Sequence, residues 1–138
     1  MVAFDTDVLT GILRGHDALV RRASSIPREQ QTVPTIVLEE IFRGRLNAIR
    51  KAESGKSSIS LERSYHLFEL TFLKLRHIQM LSFTKEAKEI FEGWKSAKVR
   101  VGTKDMQIAA TCVAHNTLLI TRNRRDFERI PELRVEFW

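Results

Sequence analysis

The chain has one cysteine, Cys112, among its 138 residues, so it can close no internal disulfide. Its four histidines are scattered, with no Cys or His at the spacing of a zinc site, which leaves no basis for a structural zinc fold. Long apolar runs are missing too. The stretch from Leu67 to Leu75 is broken by Glu69 and Lys74, and the opening Met1-Val2-Ala3-Phe4-Asp5 meets an acid before a signal core can form. The expectation is a cytoplasmic protein that does not span a membrane. What is present fits a single domain over residues 1–138. Hydrophobic residues make up 43% and charged residues 29%, the balance of a soluble chain with a packed core and not of a disordered or low-complexity one. Lys and Arg outnumber Asp and Glu by 23 to 17, a net +6 that favours polyanionic partners, nucleic acid ahead of membrane surfaces.

Along the chain, apolar runs alternate with helical periodicities. Val2-Ala3-Phe4 reads as a short strand stopped by Asp5-Thr6-Asp7, after which Val8, Leu9, Ile12 and Leu13 recur at helical spacing up to Gly15. A basic segment from Arg21 to Gln31 leads to a short strand at Thr32-Val33-Pro34. Ile36, Val37, Glu40, Ile41 and Gly44 then share one helical face, which puts an acid on an apolar side. Arg43, Arg45, Arg50, Lys51 and Lys56 crowd a segment containing Ser54-Gly55-Lys56-Ser57-Ser58, which reads as a mobile basic loop. Leu61, Tyr65, Phe68, Phe72 and Leu75 mark a long helix whose aromatic stripe is core or a dimer surface, and Ile78 to Leu81 reads as a strand. Helices follow around Ala87 to Trp94 and from Gly102-Thr103 onward. The second carries Asp105 above Ile108, Ala109, Cys112 and Val113, with Cys112 a small buried hydrophobe. Leu118 to Thr121 is a buried strand and Val135 to Phe137 a last one. The alternation predicts an α/β fold with a mainly parallel central sheet flanked by helices.

In such sheets ligands bind beyond the carboxyl ends of the strands, which singles out Asp5 and Asn123, with Glu40 and Asp105 near the starts of helices that can reach the same rim. Each has an ordinary alternative: Asp5 as a helix cap, Asp105 as first-turn charge favoured by the helix dipole, Asn123 as a turn residue. Carboxylates gathered together repel unless a hard cation neutralises them, and such a cation can activate water against a phosphodiester.

At these residues the sequence resembles the PIN domains, and among them the VapC-type ribonuclease toxins of prokaryotic toxin and antitoxin pairs. The likeness runs through Val2-Ala3-Phe4-Asp5-Thr6-Asp7-Val8-Leu9, Glu40-Ile41-Phe42-Arg43-Gly44, Gly102 to Ala110 and Leu119 to Phe127, in order and at specific spacing. The resemblance implies a compact three-layer fold, usually a homodimer, and an Mg²⁺ or Mn²⁺ site made by Asp5, Glu40 and Asp105. It implies that Thr6 supports Asp5 through its hydroxyl. Family members often carry a fourth acid where this chain has Asn123, which keeps the oxygen and loses the charge; Asp126, one turn later, is a replacement. The expected activity is Mg²⁺-dependent endoribonuclease, with an antitoxin protein as partner. Arg43, Arg45, Lys104, Arg122 and Arg124 accompany the acids in sequence and are candidates for holding the RNA. Two alternatives stand beside this. One is a PIN-type RNA-binding module with weakened catalysis, for which Asn123 speaks. The other is a haloacid-dehalogenase-type phosphatase, since Asp5-Thr6-Asp7 after a strand resembles its nucleophile and acid pair; the basic segment after Thr121 fits that poorly.

Overall fold

The computed structural model describes residues 1–138. Its strands are Val2–Phe4 (β1), Gln31–Pro34 (β2), Gln79–Leu81 (β3), Leu118–Thr121 (β4) and Val135–Phe137 (β5). Its helices are Thr6–Leu13 (α1), Asp17–Ser24 (α2), Thr35–Glu53 (α3), Leu61–Leu75 (α4), Lys85–Ser96 (α5), Thr103–Ala114 (α6) and Arg124–Phe127 (α7). The strands form one sheet in the order β3-β2-β1-β4-β5, with every neighbouring pair parallel. The chain therefore builds outward from β1 to β3, then returns to the other side of β1. The reversal puts the carboxyl ends of β1 and β4 side by side, the place where an open parallel sheet leaves a crevice.

The register explains why the first residues are buried. Ala3 faces Leu119 and Phe4 faces Ile120, all essentially inaccessible to solvent, in the middle of the core cluster that also takes Val8, Val33, Ile108 and Phe127. Burying side chains of this size stabilises the fold by about 1.5–3 kcal/mol each. Trp138 closes over Phe4, with ring centroids 5.8 Å apart.

Two segments depart from the sequence expectation. Arg43, Arg45, Arg50 and Lys51 do not lie in a basic loop: α3 continues to Glu53, since Ile41 and Ile49 keep a buried face on it and Ser54 ends it. Only the residues between Glu53 and Leu61 are loop. The segment before Gln31 contains α2, which buries little besides Leu19 and Ala23. At Gly11 an added side chain would run into the side chain of Leu19, so glycine lets α2 fold back closely on α1. The aromatic stripe of α4 is not core. Phe68 is half-buried against Phe42 at 5.7 Å, whereas Tyr65 and Phe72 are about half exposed at 49% and 54%. No helix is long and apolar enough to cross a membrane.

Candidate active site

Asp5 leaves β1 and enters α1, and both carboxylate oxygens are fixed there. Oδ1 accepts from the Thr6 amide at 2.7 Å, capping α1, and Oδ2 accepts from the Thr121 hydroxyl at 2.6 Å. The Asp5 amide donates to Ile120 O at 2.9 Å, so the residue is tied to β4 through both its backbone and its side chain. The helix-cap alternative is therefore present in the structure, carried by the same side chain that the sequence singles out as a site candidate. The Thr6 hydroxyl does not support Asp5. It donates to Glu40 Oε1 at 2.8 Å, tying α3 to the start of α1, while Thr121 supplies the hydroxyl that Asp5 uses.

The acids converge as the strand ends dictate. Asp5, Asp7, Glu40 and Asp105 line one cleft of about 670 Å³, with Thr6, Thr10, Arg14, His16, Arg122 and Asn123, and no hydrophobic side chain lines it. Burial pushes the Asp5 carboxyl up to about 7, with the charges of Asp7 and Asp105 adding to the rise against the Thr121 and Thr6 hydrogen bonds. Asp105 is pushed up to about 6, first by burial, then by Asp126, Glu40 and Asp7. A wall of acids whose neighbours make ionisation costly is an attractive environment for a cation.

Asn123 lines the cleft but is engaged. It caps α7, its Oδ1 accepting from the Asp126 amide at 3.3 Å, and its Nδ2 donates to Asp126 Oδ2 at 2.9 Å. Asp126 stands behind it and acts on Asp105 through charge. The five cations named from sequence do not behave alike. Arg122 lines the cleft. Arg43 and Lys104 both converge on Glu39, Lys104 at 3.3 Å, outside the cleft lining. Arg45 donates from Nε to the Thr71 hydroxyl at 3.0 Å, and Arg124 stacks on Phe137 at 4.2 Å. Sequence reasoning missed Arg14 and His16, which line the same cleft from the turn after α1, and Thr121, which read only as the end of a strand.

A model of the PIN domain matches residues 2–133 of the chain. The chain belongs to the PIN domain family. Its relatives include Ribonuclease VapC of Rickettsia bellii, 25% identical over 131 residues and covering 95% of this chain and 91% of that protein. Ribonuclease VapC1 of Rickettsia felis is 28% identical over 106 residues, covering 77% and 75%. Among solved structures, VapBC2 of Rickettsia felis bound to a fragment of its promoter superposes with a TM-score of 0.74 at 21% identity over 100% and 99% of the chains. FitAcB of Neisseria gonorrhoeae gives 0.76 at 19% identity over 98% and 96%. As a PIN domain the chain has the mixed α/β architecture expected of it, and the phosphatase alternative falls away. No lysine lines this PIN domain's cleft, so the charge balance that an aspartyl phosphatase needs is not there.

The donor set suits a hard divalent ion. It offers oxygen alone, in carboxylates that burial and mutual repulsion leave short of positive charge. No three His, Cys, Asp or Glu side chains are packed closely enough to enclose an ion by themselves. That is compatible with Mg²⁺, which keeps several waters and takes only one or two carboxylates.

Proposed function

We propose that the chain is a cytoplasmic, Mg²⁺-dependent endoribonuclease of VapC type, the toxin of a toxin and antitoxin pair. The observation that carries this is the convergence of Asp5, Glu40 and Asp105 on one polar cleft at the reversal point of the sheet. The VapC names of its relatives and the VapBC names of its structural neighbours support the same reading.

Asp5, Asp105 and Glu40 are the residues that would hold Mg²⁺ or Mn²⁺, one or two of them directly and the rest through water, with Asn123 at the edge of the set. A divalent ion so held supplies charge to a phosphodiester and lowers the pKa of water. The chain's own groups do the rest. Thr121 and the Thr6 amide fix the Asp5 carboxylate in direction, and the Thr6 hydroxyl does the same for Glu40, so two acids from distant parts of the chain arrive oriented. Asn123 and Asp126 form a bonded pair, and the Asp126 charge adds to the negative field at Asp105. Arg122 offers a cation to the substrate from the β4 side.

The protein partners in this reading are an antitoxin and a second copy. Tyr65, Phe72 and Leu73 on α4, with Leu46 on α3, expose large apolar side chains in an α3–α4 layer that nothing in the chain covers. The deciding experiment is cleavage of labelled RNA with Mg²⁺ or EDTA. Cleavage should require the metal, and Asp105→Asn should lower it by orders of magnitude while leaving the fold intact. Undiminished cleavage in EDTA overturns the metal-dependent mechanism, and full activity in Asp105→Asn removes that residue from it.

A further inference from the structure

Trp138 follows β5 and meets two residues on which Asp5 depends. In the register of the sheet Phe4 faces Ile120 and Ile120 faces Glu136, so these three side chains lie on one face, and Trp138, two residues past Glu136, returns to it. There its ring lies 5.8 Å from that of Phe4, the residue before Asp5, at an interplanar angle of 59°. Its backbone makes a second, separate contact. The Trp138 amide donates to Thr121 O at 3.0 Å, carrying the pairing of β4 with β5 one step past Phe137, and the Thr121 hydroxyl is the one that Asp5 accepts from. Phe137 points to the opposite face by the alternation of the strand and takes Arg124 there, so the aromatic contact to Phe4 comes from Trp138.

The indole is itself held. Arg22 of α2 places its guanidinium 4.8 Å from the centre of the ring, and the indole Nε1 donates to Glu136 Oε1 at 2.8 Å. The same carboxylate oxygen meets Arg22 Nη2 at 3.8 Å, so arginine, glutamate and tryptophan close a circuit of contacts. Arg22 and Glu136 are half exposed, where an ion pair on its own stabilises little. With the cation stacked on the indole and the indole on Phe4, the set gains a fixed geometry that a lone surface pair lacks. That matters because β4 ends at Thr121, where a strand would otherwise fray, and a liganding carboxylate has to be held to within about 0.5 Å of its working position.

We infer that Trp138 is a positioning residue for Asp5: its ring, locked between Arg22 and Phe4, fixes the amide that holds Thr121, and the Thr121 hydroxyl aims the carboxylate. This role rests on the reading of Asp5 as a holder of Mg²⁺ or Mn²⁺. Covering Phe4 would by itself make Trp138 a contributor to stability alone, whereas aiming Asp5 makes it a contributor to metal affinity and to rate.

The probe is Mn²⁺ alone, with its free fraction read by electron paramagnetic resonance well below the melting temperature of every variant. Trp138→Ala should weaken Mn²⁺ binding by about tenfold, as loss of an outer support of a metal ligand does, and lower kcat for RNA cleavage by a like factor with little change in KM. Trp138→Phe, which keeps an aromatic ring against Phe4, should recover most of the loss. Ile49 is buried outside the core cluster that takes β1 and β4, so Ile49→Ala should leave Mn²⁺ affinity unchanged however far it lowers Tm. In a Thr121→Val background Trp138→Ala should cost no further affinity, because the path from Trp138 to Asp5 runs through the missing hydroxyl. Unchanged Mn²⁺ affinity in Trp138→Ala, losses that add in the double variant, or an equal loss in Ile49→Ala overturns this role. If Trp138→Ala does not fold, Arg22→Ala removes only the exposed cation from the indole and carries the same test with a smaller expected loss, decided by the same outcomes. A Mn²⁺ site that depends on Trp138, without metal-dependent cleavage, overturns the ribonuclease reading and leaves the positioning role standing; a wild type that binds no Mn²⁺ overturns both.

Discussion

Replacing Asp5 by asparagine should make the protein more stable while disabling it. Asp5 is 5% exposed, and burial with the charges of Asp7 and Asp105 holds its carboxyl at about 7 against an ordinary 3.8. The unfolded chain ionises this group from about pH 4, whereas the folded chain keeps its proton until about pH 7. Folding stability is therefore lost as pH rises between those two values, and the loss is complete above the higher one. The gap corresponds to about 4 kcal/mol. Asparagine keeps an oxygen for the Thr6 amide and turns an N–H toward Thr121, at a cost of about 1–2 kcal/mol for the altered bond. The net gain at pH 8 without divalent ions is about 2–3 kcal/mol, or roughly 6–9 °C in Tm for a domain of this size. Thermal melts in EDTA from pH 4 to pH 8 measure it. The advantage of Asp5→Asn should be absent near pH 4, grow through pH 5–6 and level off above pH 7. An advantage that does not vary with pH, or a less stable variant at pH 8, would refute the buried-charge argument.

Thr121→Val removes the hydroxyl that Asp5 accepts from, so it should destabilise the apo protein by about 1–3 kcal/mol at pH 8 and lower RNA cleavage; wild-type activity would show that this hydrogen bond does not orient the acid. Asn123→Asp breaks the bond from Nδ2 to Asp126 and adds a charge beside Asp105, so it should lower apo stability and tighten Mg²⁺ binding, as calorimetric titration reads. Identical affinity in the two proteins would place the side chain outside the metal's reach. Tyr65→Ser with Phe72→Ser should reduce self-association with little change in stability, as light scattering with size-exclusion chromatography shows; an unchanged mass would move the interface off α4.

Much of this fold was legible because a strand buried on both faces reads as an uninterrupted apolar run. Val2 to Phe4 and Leu118 to Thr121 announce themselves that way, and Asp5 and Asn123 follow as the polar residues just past them. Glu40 and Asp105 were legible because each interrupts an apolar helical stripe. The rest failed for identifiable reasons. Helix α2 buries only Leu19 and Ala23, too few for a period to emerge, and the second half of α3 carries its cations on an exposed face that resembles a loop. Arg14 and His16 reach the cleft from a turn, where no periodicity assigns direction. Arg45 and Arg124 lie beside site residues in sequence but bind Thr71 and Phe137, because neighbours on a helix point different ways.

The bond from Thr121 to Asp5 spans 116 residues, and its consequence is temporal. During synthesis β1 emerges first and is destined for the centre of the sheet, yet one of its flanks stays open until β4 is made. A nascent chain that stops short of β4 has Asp5 on an unpaired strand edge, without the hydroxyl that orients it or the segment that carries Arg122 and Asn123. Such a fragment cannot assemble the cleft, so a protein whose proposed substrate is RNA would be inert toward the message that encodes it until β4 and the segment after it have been translated.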